Sequence, residues 1–397
     1  MKNTERDERK LSLYNRVWAE INLDNLIYNV NNIKEKISPN TQIMAVVKAD
    51  AYGHGAIEVS RVLVKNGINM LAVAIIDEAL QLRHYNFDIP ILILGFTPFE
   101  LSEQVVENDI SQTVYTFEQA YYLNEAAKKI GKKAKVHIKV DTGMGRIGFL
   151  CTKESIEAII RIASLSHIEL EGIFSHFSSA DDPHSDNFTY EQFLKFENFV
   201  KELNKNGVYF KYKHIANSAA AIRFPQYQLD IVRLGLVLYG LYPSEAVKTE
   251  ISLKPVMSVK AKVINVKEVP EGYPISYNRR YVTPCKSKIA TIPIGYADGF
   301  TRVGSEKRCV LINGEYAKVV GNVCMDQCMV DVTHIKDVKI GDEVVIIGKQ
   351  GKNEITADDL ASQIGTINYE VICSVSKRIP RVYIRDGRVV KILNYIL

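Results

Sequence analysis

Short apolar runs rich in Val, Ile and Leu recur through the first part of the chain, at 43–48, 70–75, 90–95, 112–115, 135–141, 170–177, 212–218 and 231–240. Between most of them, as at 118–129 and 190–204, apolar residues return every three or four positions, the spacing of one helix face. Strand–helix alternation of this kind calls for a parallel sheet. Eight such units predict an α/β fold, a (β/α)8 TIM barrel, in preference to an open sheet. No G-x-G-x-x-G follows an early strand, which weakens a dinucleotide-binding reading.

After Pro255 the period shortens to two: Met257, Val259, Ala261 and Val263 alternate with polar residues. Asn313-Gly314 between two β-rich runs reads as a hairpin turn. Strands at 286–293, 309–312, 317–321, 329–332 and 343–348, and one helix near 357–364 capped by Thr356, predict a mostly antiparallel β C-terminal domain. The expected division is therefore a barrel over 1–255 and a β-domain over 256–397. The leading segment 1–25, with its own alternating stretch at 18–23, is expected to pack on the second domain.

With 397 residues, 47% hydrophobic and 24% charged, the chain can bury a large core. Its basic residues are scattered and the formal charge is only +4, which argues against nucleic acid or a membrane surface as partner and for a small-molecule substrate. The opening MKNTERDERK has no apolar run behind it, and no apolar stretch approaches the ~20 residues of a membrane span, so a cytoplasmic protein is expected. Six cysteines lack paired ligand spacings, so reduced thiols are expected and no metal site.

The segment VVKADAYGHG (46–55) sets Lys48 at the end of a wholly apolar first strand, on the face where barrels carry their chemistry. Burial disfavours the ammonium and frees a neutral amine to act as a Schiff-base nucleophile or general base. A strand-end lysine that merely extends its amine to solvent fits the same spacing. KVDTGMGRIG (139–148), His176, NS (217–218), RLG (233–235), SY (276–277), GNVCMD (321–326) and NYE (368–370) follow in order, between WAEINL (18–23) and KRIPR (377–381). KADAYGHG resembles the pyridoxal phosphate attachment motif of the alanine racemases, and the ordered motifs extend the resemblance over nearly the whole chain.

By that resemblance Lys48 holds pyridoxal 5'-phosphate and then serves as a catalytic base, with Tyr277 as the second base on the opposite face of the substrate. Tyr52, Ser218, Gly235 and Tyr369 would hold the cofactor phosphate, and Arg233 would face the pyridine nitrogen, donating a hydrogen bond but no proton. His176 would stack on the cofactor or orient a neighbour. Arg146 and the backbone N–H of Met325 would bind the substrate carboxylate, with Cys324 and Asp326 lining the pocket. Lys139 matches a lysine that is often carbamylated in the family. In the family, second-domain residues reach the partner's site, implying a homodimer with composite centres. SYNRRY departs from the family's small residues after the tyrosine, placing Arg279 and Arg280 beside Tyr277.

Each residue also has a plainer reading: a cap for Ser218, an ion pair with Asp230 for Arg233, one with Asp141 for Lys139, core packing for Cys324 and a structural role for Tyr277. His54 is expected to cap or pack. The function implied is interconversion of L- and D-alanine to supply peptidoglycan precursors. A serine or broad-specificity racemase is the alternative, although Tyr369 fits alanine because serine-preferring relatives carry a smaller amide there. A non-catalytic pyridoxal phosphate carrier lacks a β-domain, and a decarboxylase of similar plan would set an acid where this chain has Arg233.

Overall fold

The computed structural model describes residues 16–397, so the charged opening decapeptide lies outside the described residues. Two compact units divide the chain: Leu26–Ala51 with Ala56–Lys254 form one, and the residues up to Asn25, Tyr52–Gly55 and Pro255–Leu397 the other.

The first unit is a parallel barrel. Its strands are Gln42–Val46, Met70–Val73, Ile91–Ile93, Ser111–Val114, Ala134–Asp141, Ile168–Phe174, Tyr212–His214 and Ile231–Leu234, and the eighth lies beside the first. Backbone hydrogen bonds from Asp230 N–H to Lys213 O (3.1 Å) and from Arg233 N–H to Ala216 O (3.0 Å) join the seventh to the eighth. The second, third, fourth and eighth strands are buried at every position, as expected of strands covered on both faces. Between them run helices such as Phe117–Ile130, where Thr116 and Gln119 form a capping box and Gly131 ends the helix in the left-handed region.

Strand ends differ from the sequence reading. The first strand stops at Val46, and Lys48 opens a left-handed turn in which Ala49, Asp50, Ala51 and Tyr52 have φ of 51°, 54°, 54° and 54°. Ser218 does not end the seventh strand; it begins the helix Ser218–Arg223, capped by the Asn217 side chain. Gly235 lies one residue past the eighth strand and His176 two past the sixth. Apolarity overran the strands because the turns beyond them are buried too: all of Leu236–Tyr239 is core.

The second unit is a sheet in the order Asn265–Val269, Ser287–Ile292, Cys328–Asp331, Glu315–Val319, Cys309–Ile312, Glu343–Gln350, Met257–Lys262, Val17–Asn22, Arg381–Arg385 and Arg388–Leu393. Pairing is antiparallel except between Val17–Asn22 and Arg381–Arg385. Asn313 and Gly314, both at positive φ, turn the hairpin that sets Ile312 opposite Glu315. Thr356 caps the helix Ala357–Ile364 in a box with Asp359.

The left-handed turn is costly, since each L-residue there sacrifices about 1–2 kcal/mol. Surrounding bonds hold it: Ala49 N–H donates to Glu78 Oε1 (2.6 Å), Ala51 N–H to Val47 O (2.9 Å), and Asp50 Oδ1 accepts from Ala56 N–H (2.8 Å). In an ordinary helix Ala→Gly destabilises by about 1 kcal/mol. At exposed Ala49 the sign should invert, so Ala49→Gly is expected to leave the thermal midpoint unchanged or raise it; a clear drop would mean that the turn carries no strain.

Candidate active site

On the barrel unit, four cationic side chains converge. Arg233, buried at the end of the eighth strand, donates through Nη2 to the carbonyls of Ser175 (2.7 Å) and Ile215 (3.1 Å) and to His176 Nδ1 (2.9 Å), and through Nη1 to His214 Nδ1 (2.8 Å). The ion pair with Asp230 is not made; Asp230 accepts from the Lys213 N–H instead. Burial, and after it Arg146, pull the guanidinium down to about 9, which leaves it cationic at neutral pH. Burial and then the charges of Arg233, Arg146, Lys139 and Lys48 hold His176 well below its ordinary value, so this imidazole is neutral.

Lys139 lies on the inner face of the fifth strand, 3% exposed, with Nζ donating to Val140 O (2.7 Å) and 5.4 Å from the Phe174 ring centre. Burial first, then Arg233, lowers its amine to about 7. No Lys139–Asp141 ion pair forms among the described residues. The Asp141 carboxylate accepts from the N–H groups of Gly143, Met144 and Gly145 and so folds the loop leading to exposed Arg146. Ser218 Oγ accepts from Gly235 N–H (3.0 Å), which joins the hydroxyl and the glycine backbone after the seventh and eighth strands, where barrels build phosphate sites. Lys48 is half-buried beyond the first strand.

This donor set suits pyridoxal phosphate. It offers positive charge for a phosphate and a carboxylate, a hydroxyl and amide after the seventh and eighth strands, a lysine on a strained turn, and a donor-only guanidinium for a ring nitrogen.

The remaining predicted residues lie on the second unit. Tyr52 packs near Tyr369, ring centres 6.3 Å apart, and burial followed by Tyr369 pushes the Tyr52 phenol far above its ordinary value. A Cβ on Gly53 would come within 2.6 Å of Ile372 O, so only glycine lets this segment lie on the helix Asn368–Cys373. His54 is buried and packs, its Nδ1 3.0 Å from Tyr52 O.

Tyr277 is 64% exposed at the edge of an open cleft of about 460 Å³ lined also by Ser276, Cys324, Met325, Asp326 and Gln327. The SYNRRY loop is strained: Ser276 has φ 66° and ψ −179°, a region held almost only by glycine, and Asn278 and Arg279 have positive φ. Ser276 Oγ donates to Asn322 O (2.6 Å) and Asn322 Nδ2 donates to Tyr277 O (3.0 Å), pinning the loop to GNVCMD. Cys324 Sγ lies 3.7 Å from Ser276 Oγ, and Asp326 accepts from Arg378 Nη2 (2.8 Å). Met325, 52% exposed, gives its carbonyl to Ala297 N–H (3.0 Å).

Sequence reasoning missed Glu78, which grips the turn after Lys48, and His214, the imidazole against Arg233. His214 carried little signal, since the run 212–218 also holds Lys213, Asn217 and Ser218.

A barrel with a lysine on the turn after its first strand, near buried Arg233 and Lys139, carried on one chain with a β-unit that presents an exposed tyrosine, defines an enzyme of the barrel class equipped for anionic ligands. Residues 21–243 match the alanine racemase N-terminal domain and 256–383 the C-terminal domain. The chain is 50% identical to alanine racemase 1 of Clostridium acetobutylicum over 96% of its length and 98% of that protein. It superposes on an alanine racemase of Clostridium difficile 630 with a TM-score of 0.93 at 46% identity, covering 96% of this chain and 99% of that one. A histidine racemase from Leuconostoc mesenteroides is also similar, with a TM-score of 0.85 at 31% identity, over 94% of this chain and 99% of that one. The chain belongs to the alanine racemase family.

The lowered Lys139 amine has a pH consequence. The unfolded chain protonates this lysine up to its ordinary 10.5 while the folded one releases the proton near 7, so the folded state gains stability as pH rises between those values. In carbonate-free buffer, the thermal midpoint should climb more from pH 7 to 9 in the wild type than in Lys139→Met. Parallel profiles would show that the amine titrates normally.

Proposed function

We propose that this protein is a pyridoxal phosphate-dependent alanine racemase, a homodimer acting in the cytoplasm to supply D-alanine for peptidoglycan, with the cofactor held chiefly by the barrel unit and the second base presented by the β-unit. The convergence of Lys48, Lys139, Arg146 and Arg233 around a neutral His176 is the observation that carries the reading, because an anionic cofactor and an amino-acid carboxylate answer that charge. Pyridoxal phosphate, when bound, supplies an electron sink that acidifies the substrate Cα–H.

The chain's own residues then control the proton. Lys48 Nζ takes or returns it on one face of Cα, and Tyr277 Oη of the partner subunit on the other. Each turnover removes one proton to one group and delivers one from the other, and solvent exchange resets the pair. Arg233 is cationic at neutral pH and would donate a hydrogen bond but no proton to a ring nitrogen, which limits the electron sink and would favour prompt return of the proton over side reactions. Ser218, Gly235, Tyr52 and Tyr369 would hold the phosphate, and Arg146 and the Met325 N–H the substrate carboxylate.

The neutral Lys139 amine can attack carbon dioxide: its lone pair forms an N–C bond, one C=O pair moves to oxygen, and the nitrogen loses a proton to solvent. The resulting carbamate would turn a cation near Arg146 into an anion that orients it. A carbamate 13C signal from labelled bicarbonate, absent in Lys139→Ala, is expected.

Alanine preference is supported by Tyr369, while the similarity to a histidine racemase makes an amino-acid panel scored by chiral separation the direct check on breadth. The decisive test is complementation. Lys48→Ala and Tyr277→Phe should each be nearly inactive, and mixed dimers should regain up to about half of the wild-type sites, since a two-fold interface leaves one intact composite centre per heterodimer. If subunits exchange and no activity returns, Tyr277 does not act across the interface.

A further inference from the structure

Five buried polar side chains form one continuous hydrogen-bonded line inside the barrel. Ser111 Oγ, at the start of the fourth strand, donates to Glu171 Oε2 at 2.5 Å, and the same oxygen lies 3.1 Å from His137 Nε2. His137 Nδ1 lies 2.9 Å from His214 Nε2, and His214 Nδ1 lies 2.8 Å from Arg233 Nη1.

Only one arrangement of protons satisfies every link. Arginine has donors and no acceptor, so His214 Nδ1 must present its lone pair. Burial and then the charge of Arg233 hold His214 well below its ordinary value, so the ring is neutral and its single proton is on Nε2. That N–H donates to His137 Nδ1, which must then be bare, leaving the His137 proton on Nε2, aimed at Glu171. A second proton on His137 Nδ1 would face the His214 N–H and break the line. Burial pushes the Glu171 carboxyl up, but hydrogen bonds from His137 and Ser111, with the charge of Lys135 nearby, outweigh it and hold it below its ordinary value, so the far end is an anion at neutral pH.

The slot for His137 is built in. A Cβ on Gly172, next to Glu171, would collide with the His137 ring at Nδ1 and Cε1. Charge supplies the reason for the line. Arg233 feels Arg146 and Lys139 but touches no carboxylate among the described residues. Glu171, with Lys135 as its nearby cation, is the carboxylate that reaches it, two imidazoles away.

We propose that Glu171, His137 and His214 form a positioning relay that fixes the proton on Nε2 of both imidazoles and balances the buried charge of Arg233 through two polarised rings. Ser111 and Gly172 hold its far end in place. The relay keeps Arg233 a donor aimed out of the line, and it carries no proton, because the guanidinium cannot supply one. Its kinetic consequence rests on the racemase reading; the proton positions do not.

The test reads both on the holoenzyme. With 15N-labelled histidine and no substrate, His137 and His214 should each show the tautomer protonated on Nε2 at neutral pH. Glu171→Gln keeps an acceptor but removes the charge, so it should preserve both signals while lowering kcat by about threefold. Glu171→Leu removes the acceptor and should mix the tautomers at both rings, lowering kcat by about tenfold with KM within about twofold, the scale on which orienting partners usually act. Should that variant fail to fold, Gly172→Ala, which displaces the His137 ring and spares the carboxylate, is expected to mix the tautomers in the same way. A wild-type His214 protonated on Nδ1, or tautomers unmoved by both Glu171→Leu and Gly172→Ala, would overturn the relay. Wild-type enzyme with both tautomers as expected and no racemisation would overturn the racemase reading alone.

Discussion

A guanidinium buried without a carboxylate against it among the described residues governs the chemistry of the barrel unit. Arg233 is held by the carbonyls of Ser175 and Ile215 and by two imidazoles. Removing a cation from water costs several kcal/mol unless its donors are met, and here acceptors meet them while the charge stays largely uncompensated nearby. Burial first, and that surplus after it, keep His176 and His214 neutral and lower the Lys139 amine to about 7. An interior with this surplus attracts anions and favours the neutral form of the Lys139 amine.

A second constraint is backbone strain next to the reactive side chains. Lys48 opens a left-handed turn of ordinary L-residues, and Ser276, just before Tyr277, sits where glycine would be at ease. Both segments persist because specific bonds over-determine them: Glu78 and Asp50 in the first, Asn322 and the GNVCMD loop in the second. Strain of this kind limits how a side chain can leave its backbone, which suits groups that must meet a reacting carbon from fixed directions.

The β-unit reaches its geometry by close approach. A Cβ on Gly321, at φ +73°, would lie 2.6 Å from Ser276 Cβ, so this glycine lets the tyrosine loop and the cysteine loop touch. Gly53 does the same for the segment carrying Tyr52 against the helix carrying Tyr369. Neither contact is local in sequence, and both rest on residues that look unremarkable in isolation.

The chain's own pattern determined the class of fold, because eight doubly apolar runs alternating with helical spacing have few solutions and the shift to period two after Pro255 has few others. The resemblance carried by its ordered motifs named Lys48, Arg233 and Tyr277 as candidates, and the pattern located the helix Ala357–Ile364 through its Thr356 cap. Only the folded structure decided where strands stop, because buried turns are as apolar as strands and a hydrophobic run does not record its own bend. It alone set the handedness of the turn after Lys48, a property of dihedral angles that KADAYGHG does not spell out. It alone brought Glu171, His137 and His214 into line with Arg233, because residues on four different strands meet only when the sheet closes on itself.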